Sequence, residues 1–280
     1  MLKHTKLAKI AAAIGSLLCI TVIFIACSNA DQIIANPVIN AENPEILAIH
    51  EQGQLRVGVK DDSIGMGFFN LATGQYEGLE IDIAHLLAEH ILGDPELIEF
   101  IPVSTDTRGA LLNSGRIDLV IASFTIREER KEFWNFSTPY FMGMLGLLVN
   151  RDSGLRGLED FDGKTIAVTT GSAAPYSIQD HIEEMGYDIE VNFLELGSNQ
   201  DCYRALQDGS ADAFSIDKST LARFRSPNQV ILPCAFRARE YGIATRKENP
   251  YLTEVIDDFV NMIIVDGTLD RLKEENHVLE

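Results

Sequence analysis

The 280-residue chain has only four cysteines and a single tryptophan, Trp134. No two cysteines make a C-x-x-C pair and no histidine joins them in a cluster. That excludes a thiolate metal framework, and neither a metal set nor a cofactor motif is present. Positive charge is also short: 23 Lys and Arg stand against 42 Asp and Glu, a net of −19. This balance excludes nucleic acid, because a polyphosphate needs a basic face. It also excludes docking of the protein body on an anionic membrane surface. What the chain does have is 46% hydrophobic residues, enough for one large domain or two medium lobes.

Charge is unevenly placed. Lys3, Lys6 and Lys9 precede residue 27 and no acid does, which leaves 20 basic against 42 acidic residues, a net of −22, in the remainder. The three lysines lead into the uncharged run Ile10–Ala26. A positive start before a short apolar stretch reads as a secretory signal over 1–26, with a retained anchor as the alternative. The run ends Phe-Ile-Ala-Cys, which resembles a bacterial lipobox with Cys27 as the lipidated residue; Phe24 departs from the usual leucine. Residues 27–45, with two prolines and several asparagines, read as a tether. The body is therefore expected outside the cytoplasm, where disulfides are permitted. Cys202 and Cys234 then either pair or remain buried thiols.

Along the body, strand and helix patterns alternate. Strands are expected at 55–59, 98–103, 119–122, 165–169, 189–194, 213–216 and 241–245. Helices are expected at 80–92, 108–114, 175–185, 199–208, 218–224 and 250–273, the last broken at Gly267. The alternation predicts an α/β fold with largely parallel sheets. An internal echo refines this. Leu112–Asp118 and Leu206–Asp212 share the pattern L-x-x-G-x-x-D, 94 residues apart, each a helix end, a glycine stop and an aspartate opening an apolar strand. Small polar residues follow each strand: Ser123 and Thr125, then Ser215 and Asp217. Ligands of open α/β sheets lie beyond the carboxyl ends of strands, so two such lobes predict a ligand held between them.

Several motifs occur in order: GLEIDIAHLLA at 78–88, SFTIREER at 123–130, FSTPY at 136–140, GKTIAV at 163–168, YGI at 241–243 and DGTL at 266–269. Together they resemble the bacterial extracellular solute-binding protein family 3, the polar amino-acid binding components of ABC importers. The resemblance covers about 50–275. It implies a type II periplasmic binding protein fold with two hinge crossovers: lobe I at 46–147 plus 240–280, lobe II at 148–239, closing on the ligand. It further implies an ABC permease as partner, a monomer, no cofactor and no enzymatic activity. A dehydratase on the same scaffold is the alternative, since fold does not fix function.

The same resemblance implies the site. Arg130 stands where the family grips the ligand α-carboxylate with a guanidinium fork. Ser123 and Thr125 join it from lobe I. From lobe II come Ser172 and the amide of Ala173, before a helix start. Asp217 is expected to meet the α-ammonium, or to cap the helix at 218, or both. Lys60 ends the first strand where relatives that bind basic amino acids carry an acid, and Arg108 resembles an arginine of the acidic-amino-acid binders. Two cations facing the side chain predict glutamate or aspartate, with glutamine next. Ser63 replaces an aromatic found in many relatives, which leaves Met66 or Phe68 to cover the ligand.

Overall fold

The computed structural model describes residues 43–278 apart from Ala235 and Arg237. The expected signal, Cys27 and most of the expected tether lie outside the described residues. Pro44 and Glu45, expected to end the tether, instead open helix α1 (Pro44–Gln52). Its N-cap Asn43 accepts the Glu45 N–H at 2.9 Å, and the proline sits where no intrahelical donor is needed.

The chain then runs through β1 (Leu55–Val59), a small antiparallel meander of β2 (Asp62–Ser63), β3 (Gly67–Asn70) and β4 (Gln75–Glu77), helix α2 (Leu79–Leu92), β5 (Ile98–Pro102), α3 (Arg108–Asn113), β6 (Leu119–Ile121), α4 (Glu128–Lys131), β7 (Trp134–Phe136), β8 (Phe141–Gly143) and β9 (Leu145–Asn150). It continues with β10 (Thr165–Thr169), α5 (Ala174–Met185), β11 (Asn192–Leu196), α6 (Asn199–Asp208), β12 (Ala213–Asp217), α7 (Lys218–Phe224), β13 (Gln229–Ile231), β14 (Arg239–Tyr241), β15 (Ala244–Arg246), α8 (Pro250–Val265) and α9 (Thr268–Glu275).

Two five-stranded sheets result, ordered β5-β1-β6-β15-β7 and β11-β10-β12-β9-β13. In each, three strands are parallel and the next pairs antiparallel. The expected strand at 241–245 is two strands in different sheets, parted at Gly242 and Ile243. The first of them, β14, pairs with β8 in a two-stranded ribbon, and these two strands carry the chain between the lobes. The expected lobe boundary at 147 falls inside β9, which lies wholly in the second sheet.

The echo is borne out as a shared structural device. Asp118 accepts the Arg56 N–H at 2.9 Å while its own N–H donates to the Arg56 carbonyl at 2.8 Å. Asp212 does the same with Thr165, at 2.9 and 2.8 Å. Each aspartate thus locks the entrance of a parallel strand onto its neighbour. Leu112 and Leu206 are fully buried, and Gly115 and Gly209 take φ of 71° and 80°, a left-handed turn that glycine adopts without a Cβ clash.

Both cysteines of the body are free. Along β10, Ile166 and Val168 face one side of the second sheet and Ala167 the other. Cys234 packs with the first side and Cys202 with the second, so the sheet separates them. Burial pushes the thiols up to about 12 and about 11 respectively for Cys202 and Cys234, which keeps both protonated and inert. Replacing Asp118, which is buried and also ion-paired with Arg56, by alanine is expected to cost about 2 kcal/mol in urea unfolding. Asp212→Ala is expected to cost less, because its side chain is more exposed. Neither change should alter ligand affinity in titration calorimetry.

Candidate functional site

The carboxyl ends of β1, β6, β10 and β12 converge on one cavity. It is lined by Lys60, Ser63, Thr105, Arg108, Ala122, Ser123 and Thr125 from the first lobe, by Thr169, Ser172, Ala173, Asn199, Ile216 and Asp217 from the second, and by Arg239 and Tyr241 from the β14 ribbon strand. Seven of the eight expected residues are in this wall. The lobes touch around it. Arg130 Nη2 donates to the Gly171 carbonyl at 3.0 Å, and the Asn199 N–H donates to Asp62 Oδ2 at 2.9 Å. Arg223 Nη2 donates to the Asn276 carbonyl at 2.7 Å.

Glu80, in the first turn of α2, organises the first-lobe side. Its Oε1 accepts from the Ser123 N–H at 2.6 Å, the Ser123 hydroxyl at 2.9 Å and the Tyr140 hydroxyl at 2.7 Å. Ser123 adopts φ of 47°, a left-handed conformation uncommon for a non-glycine residue. The two bonds from Ser123 to one oxygen hold it there. Glu80 is wholly buried, and burial raises its pKa against the pull of the three donors. Its Oε2 has no partner among the described residues.

Four cations surround the cavity, and two of them are neutralised. Lys60 is buried, not a solvated strand end, and its Nζ lies 3.0 Å from Asp62 Oδ1. Arg239 is buried with Nη2 3.0 Å from Asp217 Oδ1. Tyr241 donates its hydroxyl to both oxygens of Asp217, at 2.7 and 2.6 Å. Asp217 precedes α7 but its side chain makes no cap. The expected partner of an α-ammonium is thus already shared with a guanidinium and a phenol. This packing requires Gly143 in β8. A Cβ there would lie 2.6 Å from Asp217 Oδ1 and 2.7 Å from the Tyr241 hydroxyl.

Among the described residues the other two cations have no carboxylate in ion-pair distance. Arg108 Nη1 donates to the Ala122 carbonyl at 2.6 Å, and its Nε is buried without a partner. Arg130 is not in this lining; it stands behind Thr125, with its fork on two carbonyls, those of Thr125 at 2.9 Å and Gly171. Both guanidiniums lie on the ring of Phe124, with Cζ at 4.0 and 5.0 Å from its centroid. Burial pushes Arg108 down to about 9, with the nearby Arg130 charge second. Burial pushes Arg130 down to about 10, with Arg127 and Arg239 next. Both remain charged at neutral pH, so Arg108 in the wall and Arg130 beside it are cations in want of an anion.

From the second lobe, Ser172 uses its N–H on the Thr169 carbonyl at 3.0 Å. Ala173 is buried at the start of α5, where helix N–H groups lack intrahelical partners. Met66 belongs to the first-lobe core, and neither it nor Phe68 lines the cavity; Tyr241 supplies an aromatic ring there instead. Glu80, Asn199 and Arg239 escape a reading of the sequence. An acid inside the apolar stripe of GLEIDI signals the first, but nothing local marks the other two.

Two α/β lobes, a paired-strand hinge and a polar cavity between strand ends define a solute-binding protein. The chain belongs to the bacterial extracellular solute-binding proteins, family 3, whose model matches residues 55–277. It is 38% identical over 203 residues to the glutamine-binding protein of Geobacillus stearothermophilus, covering 71% of this chain and 75% of the relative. A glutamate-binding protein of Corynebacterium glutamicum is 28% identical over 244 residues, covering 82% and 80%. The solved structure of the solute receptors for L-cysteine of Neisseria gonorrhoeae superposes with a TM-score of 0.75 at 27% identity, covering 82% of this chain and 92% of that one.

The raised pKa of Glu80 has a defined consequence for stability. The unfolded chain releases this proton near the ordinary carboxylate value, whereas the folded protein keeps it to higher pH. Between those two points the folded state binds more protons, so stability falls as pH rises from the lower to the higher. Glu80→Gln keeps the acceptor and removes the titration. The stability of wild type relative to Glu80→Gln, from melting in ligand-free buffer, is expected to decrease as pH is raised from about 4.5.

Proposed function

We propose that this protein captures an acidic amino acid, glutamate or aspartate, outside the cytoplasm and delivers it to an ABC permease. The lobes close about the β8–β14 ribbon, and Cys27 carries a lipid anchor. The observation that carries the ligand class is the pair of guanidiniums on Phe124, Arg108 and Arg130, neither of which is ion-paired with a carboxylate among the described residues. A dicarboxylic amino acid brings one carboxylate for each. In this reading Arg130 leaves its carbonyls for the α-carboxylate, helped by Thr125 and the Ala173 N–H, and Arg108 takes the side-chain carboxylate. Asp217 shares the α-ammonium with Arg239 and Tyr241. Lys60, tied to Asp62, adds a donor at the side-chain end.

Glutamine is the second reading, favoured by the relative that is 38% identical and named for glutamine. The dehydratase alternative has less support: no histidine lines the cavity, and Asp217 is engaged twice.

Calorimetric titration with glutamate, aspartate, glutamine and lysine tests the reading. An acidic amino acid is expected to bind tightest, and tightest binding of lysine overturns it. A charge-assisted hydrogen bond contributes roughly 1.5–3 kcal/mol. Arg108→Ala is therefore expected to weaken dicarboxylates by about tenfold or more, and neutral amino acids less. Equal losses would remove Arg108 from the selector role.

A further inference from the structure

One polar side chain in the cavity wall is unused by any contact described above. Asn199 is the first residue of α6, it is 1% exposed, and both its Oδ1 and Nδ2 are buried without a partner among the described residues. Its position is fixed from both sides. Ser198 caps α6 by accepting the Asp201 N–H at 3.1 Å, and the Asn199 N–H is held by Asp62, which is also paired with Lys60. Asn199 is therefore joined through Asp62 to Lys60, and both line the cavity.

A buried carboxamide with neither a donor nor an acceptor for its two ends costs stability, and such groups are almost always satisfied in a native protein. Here the missing partner must offer both functions. A carboxylate can accept from Nδ2 but leaves Oδ1 facing a second bare oxygen. A carboxamide can accept from Nδ2 and donate to Oδ1, closing a two-bond pair.

We propose that Asn199 is a specificity-determining residue that reads a side-chain carboxamide and so lets the cavity take glutamine alongside glutamate. This rests on the ligand class proposed above: Arg108 answers the acid, Asn199 the amide. An unmet polar group discriminates strongly, because the analogue that cannot satisfy it leaves a buried atom unpaired.

The test is titration calorimetry of glutamine and glutamate against wild type, Asn199→Ala and Asn199→Asp, all as the full chain. Wild type is expected to bind both. Asn199→Ala is expected to weaken glutamine about tenfold and glutamate less than about threefold. Asn199→Asp keeps the acceptor for the ligand amide but loses the Nδ2 donor and adds a charge against the acid, so glutamate is expected to weaken about tenfold or more and glutamine by less. The two variants move the glutamine-to-glutamate preference in opposite directions, which a general packing defect cannot do. If one variant fails to fold, the direction of the other decides. Parallel losses for both ligands, or a wild type that binds glutamate but not glutamine, overturn this proposal and leave the ligand class standing. A wild type that binds neither of these nor aspartate overturns both.

Discussion

The buried carboxyl group of Glu80 is the contact on which the first half of the site depends. One oxygen of a helix side chain holds the backbone and hydroxyl of Ser123, at the end of a central strand, and the hydroxyl of Tyr140, next to the hinge strand. The helix, the strand end and the hinge are thereby fixed to one atom. The left-handed backbone at Ser123 persists because this atom takes both of its donors. The Ala122 carbonyl just before it is then placed to receive Arg108, which lies on Phe124 one residue beyond.

Charge in the cavity is arranged by pairing. The protein carries a net of −19, yet its cavity gathers Lys60, Arg108 and Arg239 with Arg130 behind them. Asp62 and Asp217 each neutralise one cation and leave two guanidiniums against a single aromatic ring. Surface acids beyond about 8 Å are largely screened at physiological salt, so the overall acidity describes the outside and not the pocket. Asp62 has a second function: with one oxygen on Lys60 and the other on the start of α6, it links the lobes beside the ligand space.

The two lobes solve one folding problem twice. Three parallel strands need a polar group to satisfy the entrance of the central one, and an aspartate after a glycine helix stop supplies it in both sheets. The lobes differ at the opposite strand ends, where the first ends in Ser123 and Thr125 and the second in Asp217. Between them, β8 and β14 form a ribbon in which Gly143 allows Asp217 and Tyr241 to meet. The hinge strand and the binding site thus share side chains.

The sequence by itself determined the α/β class, the two lobes, most strand and helix positions and seven of the cavity residues. Period, glycine stops and the L-x-x-G-x-x-D repeat are local signals, and local signals survive in one dimension. It did not show β7, β8 and β9, whose short runs draw their stability from strands far away in the chain. Nor did it show which charges are free. Lys60 and Arg108 each have an aspartate nearby in the sequence, Asp62 and Asp106; only the fold pairs Lys60 with Asp62 and leaves Arg108 without an ion-paired carboxylate among the described residues. Arg130 was legible as a motif residue, but its retreat behind Thr125 was not, because two carbonyls from different lobes compete for its fork. Glu80, Asn199 and Arg239 became site residues only when helix starts and strand ends from separate lobes were brought to one point. Burial then decided what each polar atom lacks, and burial is a property of the tertiary structure alone.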